Sequence, residues 1–119
     1  MIALPIRAWK EESVAMSDRL TKLLSMLAKS PRDPFLHYGV GMERKKLRQF
    51  DQAVAAFRAA IEVDPAYSYA YYQIGQTLEL SGDVPGARAA YQQGIAAATR
   101  GGDAHARGEI EAAMQMLQE

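Results

Sequence analysis

The stretch Phe35–Pro65 reads FLHYGVGMERKKLRQFDQAVAAFRAAIEVDP, and the stretch Tyr69–Thr99 reads YAYYQIGQTLELSGDVPGARAAYQQGIAAAT. Sliding the chain against itself by 34 residues places Tyr38 on Tyr72, Gly41 on Gly75, Ala53 on Ala87 and Ala55-Ala56 on Ala89-Ala90. Ile61 falls on Ile95, while Phe57/Tyr91, Val40/Ile74 and Phe35/Tyr69 are conservative pairs. Glycine and alanine at fixed places let two helix axes come close together, and Phe57 and Tyr91 are large enough to fill the groove beside them.

Outward from this pair the pattern stays helical. Leu20, Leu23, Leu24 and Leu27 form one apolar stripe ending before Ser30-Pro31. Asp33-Pro34 opens a helix that runs to Leu47. A third spans Asp51 to Val63, with Ala53, Val54, Phe57, Ala60 and Ile61 on one face, and Asp64-Pro65 closes it. Tyr69 to Leu80 is stopped by Ser81-Gly82, Pro85 to Thr99 is capped by Asp83, and Ala104 to Leu117 is opened by Asp103. The sequence contains no convincing strand. Connections of a few residues make neighbouring helices antiparallel hairpins.

A 34-residue helix-turn-helix period with small residues at fixed places resembles the tetratricopeptide repeat family. The residues carrying the resemblance are Gly41, Ala53, Phe57, Ala60 and Pro65, then Gly75, Gly82, Asp83, Ala87 and Tyr91. The resemblance implies an all-α fold, a short right-handed α-solenoid of about six stacked helices. It divides residues 16–119 into a degenerate half-repeat helix (16–33), two repeats (34–67 and 68–101) and a capping helix (102–119). Arg48 departs from the family pattern, standing where glycine usually turns the chain. So do Gly94 and Thr99, where alanine and proline are usual, and Thr99 lets the second repeat's second helix run on. Two whole units fall short of the roughly three that a solenoid needs for a continuous core, a difference that the flanking half-unit and cap, or self-association, would make up.

Function in this family comes from the concave surface lined by the first helix of each unit. The resemblance maps it onto Phe35, Tyr38, Met42, Lys45 and Lys46, then onto Tyr69, Tyr72, Gln73, Gln76, Glu79 and Leu80, with Arg107, Ile110 and Met114 added by the cap. Spacing supports part of this independently: Phe35, Tyr38 and Met42 lie at i, i+3, i+7, and Tyr69, Tyr72 and Gln76 repeat it. Aromatic and methionine side chains give large, adaptable contact area, as peptide-binding surfaces require. In the family's clamp for acidic chaperone tails, lysine and asparagine stand where this chain has Tyr38 and Met42, and a later lysine where it has Asp103. Only Gln73 and Arg107 resemble that pattern. The clamp is absent, and the groove is expected to prefer an apolar or aromatic segment.

Composition sets the outer limits. With 119 residues, 14 Lys+Arg against 14 Asp+Glu, and no Cys, the chain suits one domain without disulfides or thiolate metal sites. The neutral total hides a basic front: residues 1–48 carry +5 and residues 49–119 carry −5. That asymmetry makes head-to-tail self-association, a homo-oligomer, the second reading. The run Arg44-Lys45-Lys46-Leu47-Arg48 offers a third, weak binding to nucleic acid or an anionic surface, but cations at a helix C-terminus need no ligand to explain them. The apolar run Met1–Trp9 is far too short for a membrane span of about 20 residues, and with no basic segment before it and Pro5 within it, it makes a poor secretory signal. Residues 1–15 read as a poorly ordered extension, with Trp9 packed on the first helix as the other option, and the location as cytoplasmic. No P-loop, Gly-x-Ser-x-Gly or His-Glu-x-x-His motif occurs. His105 and Glu109 lie four apart but are too few for a metal site, and His37 reads as a packed or surface histidine. The expectation is a non-enzymatic interaction module, without metal or cofactor, for a protein or peptide partner.

Overall fold

The computed structural model describes residues 16–117. They form α1 (Asp18–Lys29), α2 (Pro34–Lys46), α3 (Phe50–Val63), α4 (Ser68–Leu80), α5 (Val84–Arg100) and α6 (Ala104–Gln115). No strand occurs among them, as the sequence indicates. The expectations for residues 1–15 lie outside the described residues. Each helix packs on the next along the chain, so the fold is a one-way stack of antiparallel hairpins.

The helix starts follow from short polar side chains. Ser17 Oγ accepts the Leu20 N–H at 3.0 Å, and Asp33, Asp83 and Asp103 do the same for Phe35, Gly86 and Ala106 at 2.9, 2.9 and 3.0 Å. Each such cap contributes about 1 kcal/mol. Three ends share one closing turn, with Gln49, Asp83 and Asp103 N–H bonding back to the Arg44, Leu78 and Ala98 carbonyls at 2.8–2.9 Å. That turn needs a left-handed residue. Gly82 (φ 87°) and Gly102 (φ 69°) supply it without strain, whereas Arg48 adopts φ 61° with a full side chain. Its guanidinium lies 5.0 Å over the Phe50 ring, an attraction that offsets part of the backbone cost. Thr99 also acts as its departure from proline suggests: α5 is 17 residues long against 14 for α3, and stops only at Gly101-Gly102.

Between helices the packing is set by glycine. A Cβ on Gly41 would stand 2.5 Å from Phe57 Cε1, and one on Gly75 would clash with the Tyr91 ring at Cε1. Phe57 and Tyr91 are both fully buried, each lying in the gap that a glycine leaves on the preceding helix. Gly94 does the same between α4, α5 and α6, where a Cβ would stand 2.8 Å from Tyr71 Cβ and 3.1 Å from Ile110 Cδ1. Ala53, Phe57, Ile74 and Ala90 form one core cluster, and Ala87, Tyr91 and Ile110 form the next. Ala60 is fully buried beside them in sequence on α3.

Two residues grouped with the packing set do other work. Gly82 has nothing within 4 Å of a built Cβ, so it is a turn residue selected by backbone conformation. Pro65 is exposed, and its carbonyl accepts the Tyr71 hydroxyl at 3.2 Å, so it shapes the α3–α4 turn.

Candidate binding groove

The first helices of the two hairpins, α2 and α4, lie side by side and are tied by one lysine. Lys45 Nζ donates to Gln73 Oε1 at 2.9 Å and to Gln76 Oε1 at 3.2 Å, bridging the two helices. Gln76 Nε2 in turn donates to the Tyr72 hydroxyl at 2.9 Å. Partial burial pushes the Lys45 ammonium below its ordinary pKa. Lys45 therefore sits in the wall of the groove and is not a freely solvated surface charge.

Toward the N-terminal ends of these helices the wall is aromatic. Phe35 meets Tyr67 edge-on with ring centres 5.7 Å apart, and Tyr67 lies 5.1 Å from Tyr38, which packs edge-on at 5.5 Å against buried Phe57. On the next hairpin Tyr69 meets Tyr72 at 6.5 Å, and Tyr72 leans on buried Tyr91 at 6.2 Å. Tyr38 and Tyr72 are thus each anchored to the large core ring of their own hairpin. Phe35, 73% exposed, stands at the lip.

Toward the C-terminal ends the wall opens. One cleft of about 510 Å³ is lined by Lys45, Gln76, Glu79 and Leu80. A second of about 450 Å³ adds Arg19, Met42, Glu43 and Lys46. Met42 and Leu80 leave apolar surface exposed there. Glu43 is almost completely buried, paired to Arg19 Nε at 3.4 Å through one oxygen, while its Oε2 has no hydrogen-bond partner.

Burial raises several phenols. Tyr67 is pushed up to about 12, first by desolvation and then by Tyr38, Asp64 and Asp33 nearby. Tyr91 is raised further by burial and by its hydrogen bond to Glu79, and Tyr38 is raised by burial against the opposing effect of Gln73. A raised phenol favours the fold in its protonated form. That stability is complete below about pH 10 and is lost as pH climbs through the folded-state values. Melting temperature should therefore hold steady to pH 9 and drop between pH 10 and 12, with a shallower drop for Tyr67→Phe. An identical alkaline profile for that variant would show that Tyr67 does not contribute.

The sequence-derived site residues divide into three groups. Phe35, Tyr38, Met42, Lys45, Tyr69, Tyr72 and Gln76 share this face, and Gln73, though nearly buried, reaches Lys45 from beneath. Arg107 turns to its own helix instead: its Nε pairs with Glu111 along α6 at 2.8 Å. Ile110, also expected on the concave face, is fully buried against Ala87 and Tyr91, with Met114 packed on the same cluster. The cap's apolar edge is core because α6 closes the end of the stack. Tyr67 and Glu43 carry no signal in the helical spacing used. Tyr67 lies in a turn, just ahead of α4. Glu43 reads as one charge in a basic run, and only its 34-residue partner Thr77, also buried, hints at a polar position facing inward.

The basic run does not form one patch. Arg44 Nη1 donates to Gln49 and Gln52 at 2.8 and 3.2 Å, Arg48 covers Phe50, Lys45 lies in the groove and Lys46 is exposed. His37 Nε2 lies 2.7 Å from the Pro31 carbonyl, and His105 pairs with Glu109 at 2.6 Å. No group of three or more residues suited to a metal occurs among the described residues, and none of their helices is long and apolar enough to cross a membrane.

Stacked helical hairpins with glycine-seated aromatic rings and a side-by-side pair of groove helices define a helical-repeat protein. The tetratricopeptide repeat family model matches residues 41–104, and the chain belongs to that family. It is 32% identical over 95 residues to TPR repeat-containing protein PA0015 of Pseudomonas aeruginosa, covering 80% of this chain and 90% of that one. Among solved structures, it resembles protein BPP2914 from Bordetella parapertussis at 35% identity and a TM-score of 0.72, covering 84% of this chain and 87% of that chain. A tetratricopeptide repeat domain protein from Salinibacter ruber matches at 32% identity and a TM-score of 0.66, covering 71% and 86%. Members of this family generally mediate protein–protein interactions and are typically non-enzymatic scaffolds.

Proposed function

We infer that this protein is an adaptor or assembly module that holds a peptide or partner-protein segment in the groove between α2 and α4. Residues 16–33 serve as a half-repeat, 34–67 and 68–101 as the two repeats and 102–119 as the cap. The single observation that carries the reading is the cross-helix tie: one lysine holds two carboxamides, next to a row of anchored rings and above an open cleft. A wall fixed in this way loses little side-chain freedom when it binds, so more of the contact energy remains as affinity. The positions belong to Phe35, Tyr38, Met42, Lys45, Tyr69, Tyr72, Gln73 and Gln76, and the setting proposed for them is cytoplasmic.

The other readings have weaker support. Head-to-tail assembly would set the basic front half of one copy against the acidic back half of another, and of those acidic groups Glu109 and Glu111 are already paired along α6. Nucleic-acid binding needs a continuous basic patch, and the run Arg44–Arg48 is spread over different neighbours.

The test is retention of a pool of random capped peptides on the immobilised protein. Tyr38→Ala with Tyr72→Ala removes two anchored rings of the kind that dominate interfaces, and retention should fall roughly tenfold or more. Thermal melting of the variant separates loss of the groove from loss of the fold. Equal retention by a folded double variant overturns the assignment.

A further inference from the structure

The front of the stack is open where its back is closed. A shift of 34 residues sets α1 on α3, so Met16, Leu23 and Met26 hold the places of Phe50, Phe57 and Ala60. α3 lies between α2 and α4, and Phe57 and Ala60 are fully buried there. Among the described helices α1 packs on α2 alone. Leu23 meets α2 at Gly39 and is half-buried, while Met16 and Met26 are 46% and 51% exposed. A second helix without a first helix before it leaves uncovered the face that its counterpart buries. That empty place belongs, by the same period, to the residues just ahead of α1. Residues 1–13 stand 34 before 35–47, which hold nearly all of α2. Ile2, Leu4 and Ile6 fall on Leu36, Tyr38 and Val40, and Trp9 adds a large ring beside them in sequence. Arg7 falls on Gly41, but Leu23 stands in place of the Phe57 ring for which that glycine makes room. The pair therefore lacks the gap and its filler together.

We propose that the open face of α1 is a docking surface for the chain's own residues 1–15, which cover Leu23 and Met26 and set Trp9 against them. The segment closes the front of the stack as α6 closes its back, where Ile110 is buried against Ala87 and Tyr91. Three features select this occupant. It holds the vacant register, as above. Its apolar side chains meet a face that offers two thioethers, and sulfur contacts with an aromatic ring are favourable. It is also joined directly to α1, so its local concentration is about millimolar before any contact forms, far above that of a second copy in dilute solution. A covered α1 has a consequence further along the stack. Its Arg19 pairs with the buried Glu43 and lines the second cleft, so the segment steadies one wall of that cleft without touching it.

Trp9 is the chain's only tryptophan, so its fluorescence reports on this contact alone. In the full chain its emission should lie at shorter wavelength than in a capped peptide of residues 1–15. Acrylamide should quench it at most about half as well, since docking buries much of the indole. Met26→Lys sets a charge on the face at an exposed position, where the fold tolerates it, and should return both readings to those of the peptide with helix content unchanged by circular dichroism. Met16→Lys should move them the same way by a smaller amount. Met116→Lys, an exposed methionine at the far end of the stack, is the control and should change neither. Wild-type emission and quenching equal to the peptide's overturn the proposal. Protection of Trp9 that survives Met26→Lys overturns it too, because the ring then lies on another surface. Protection that appears only as the protein is concentrated, with a matching rise in mass by light scattering, gives the face to a second copy and likewise overturns it.

Discussion

Gly75→Ala should destabilise the protein by about 3 kcal/mol, near the upper end of what overpacking one methyl group costs. The added Cβ would clash with the edge of the Tyr91 ring, and that ring has little room to move. It is fully buried, clustered with Ala87 and Ile110, flanked by Tyr72 and tied by its hydroxyl to Glu79. Relief requires α4 and α5 to separate, which loosens the contact the second hairpin is built on. Against a typical total of about 5–15 kcal/mol, that is a large share of the stability. Gly108→Ala is the control. It sits within α6 with nothing within 4 Å of a built Cβ, so the same change should stabilise by about 0.5–1 kcal/mol through helix propensity alone. Urea midpoints of the two variants should therefore move in opposite directions. Adding Tyr91→Leu to Gly75→Ala should recover part of the loss, a coupling that a double-mutant cycle measures. Parallel shifts for the two glycine variants would mean that α4 and α5 are not in tight contact.

The same chemistry explains what was legible in the sequence. Close helix contacts demand glycine, and filling the space beside them demands one large ring. Gly41 with Phe57 and Gly75 with Tyr91 therefore appear as matched letters at a fixed period. Caps are legible for a similar reason, since Asp33, Asp83 and Asp103 act within three residues of themselves. The groove was legible only where it repeats with the helix. Tyr38 and Tyr72 share a register and so show in the helical pattern, whereas Tyr67 enters from a turn that has no period. Glu43 was hidden because burial of a charge depends on its neighbours in space, here Arg19 on another helix. Ile110 was misplaced onto the concave face because spacing defines an apolar edge but not the neighbour it meets. What closes the end of a stack is decided by where the stack stops. Lys45 shows the remaining gap: the sequence presents one lysine among several cations, and only the fold brings it to two glutamines 28 and 31 residues away.

Removing residues 102–119 should abolish cooperative unfolding. The second core cluster is Ala87, Tyr91 and Ile110, with Ala113, Met114 and Leu117 packed around it, so α6 and Leu117 just beyond it supply much of its covering. Without them the outer face of α5 and the Tyr91 region would meet water, and a chain with two whole repeats has little core to spare. Ile110→Ala is the graded form of the same experiment. Truncating a fully buried isoleucine costs about 2–5 kcal/mol, and the site is too tightly packed to collapse cheaply. Gly94 lets Ile110 Cδ1 approach to a distance where even one more methyl on α5 would crowd it. The truncated chain should bind a hydrophobic dye and melt without a sharp transition, while Ile110→Ala should melt cooperatively at a lower temperature. A truncated chain with the parent's melting curve would show that the repeats are stable alone and that α6 is an accessory. The groove would decide between these outcomes as well. Tyr72 leans on Tyr91, so loss of α6 should disturb peptide retention even though it removes no residue of the wall.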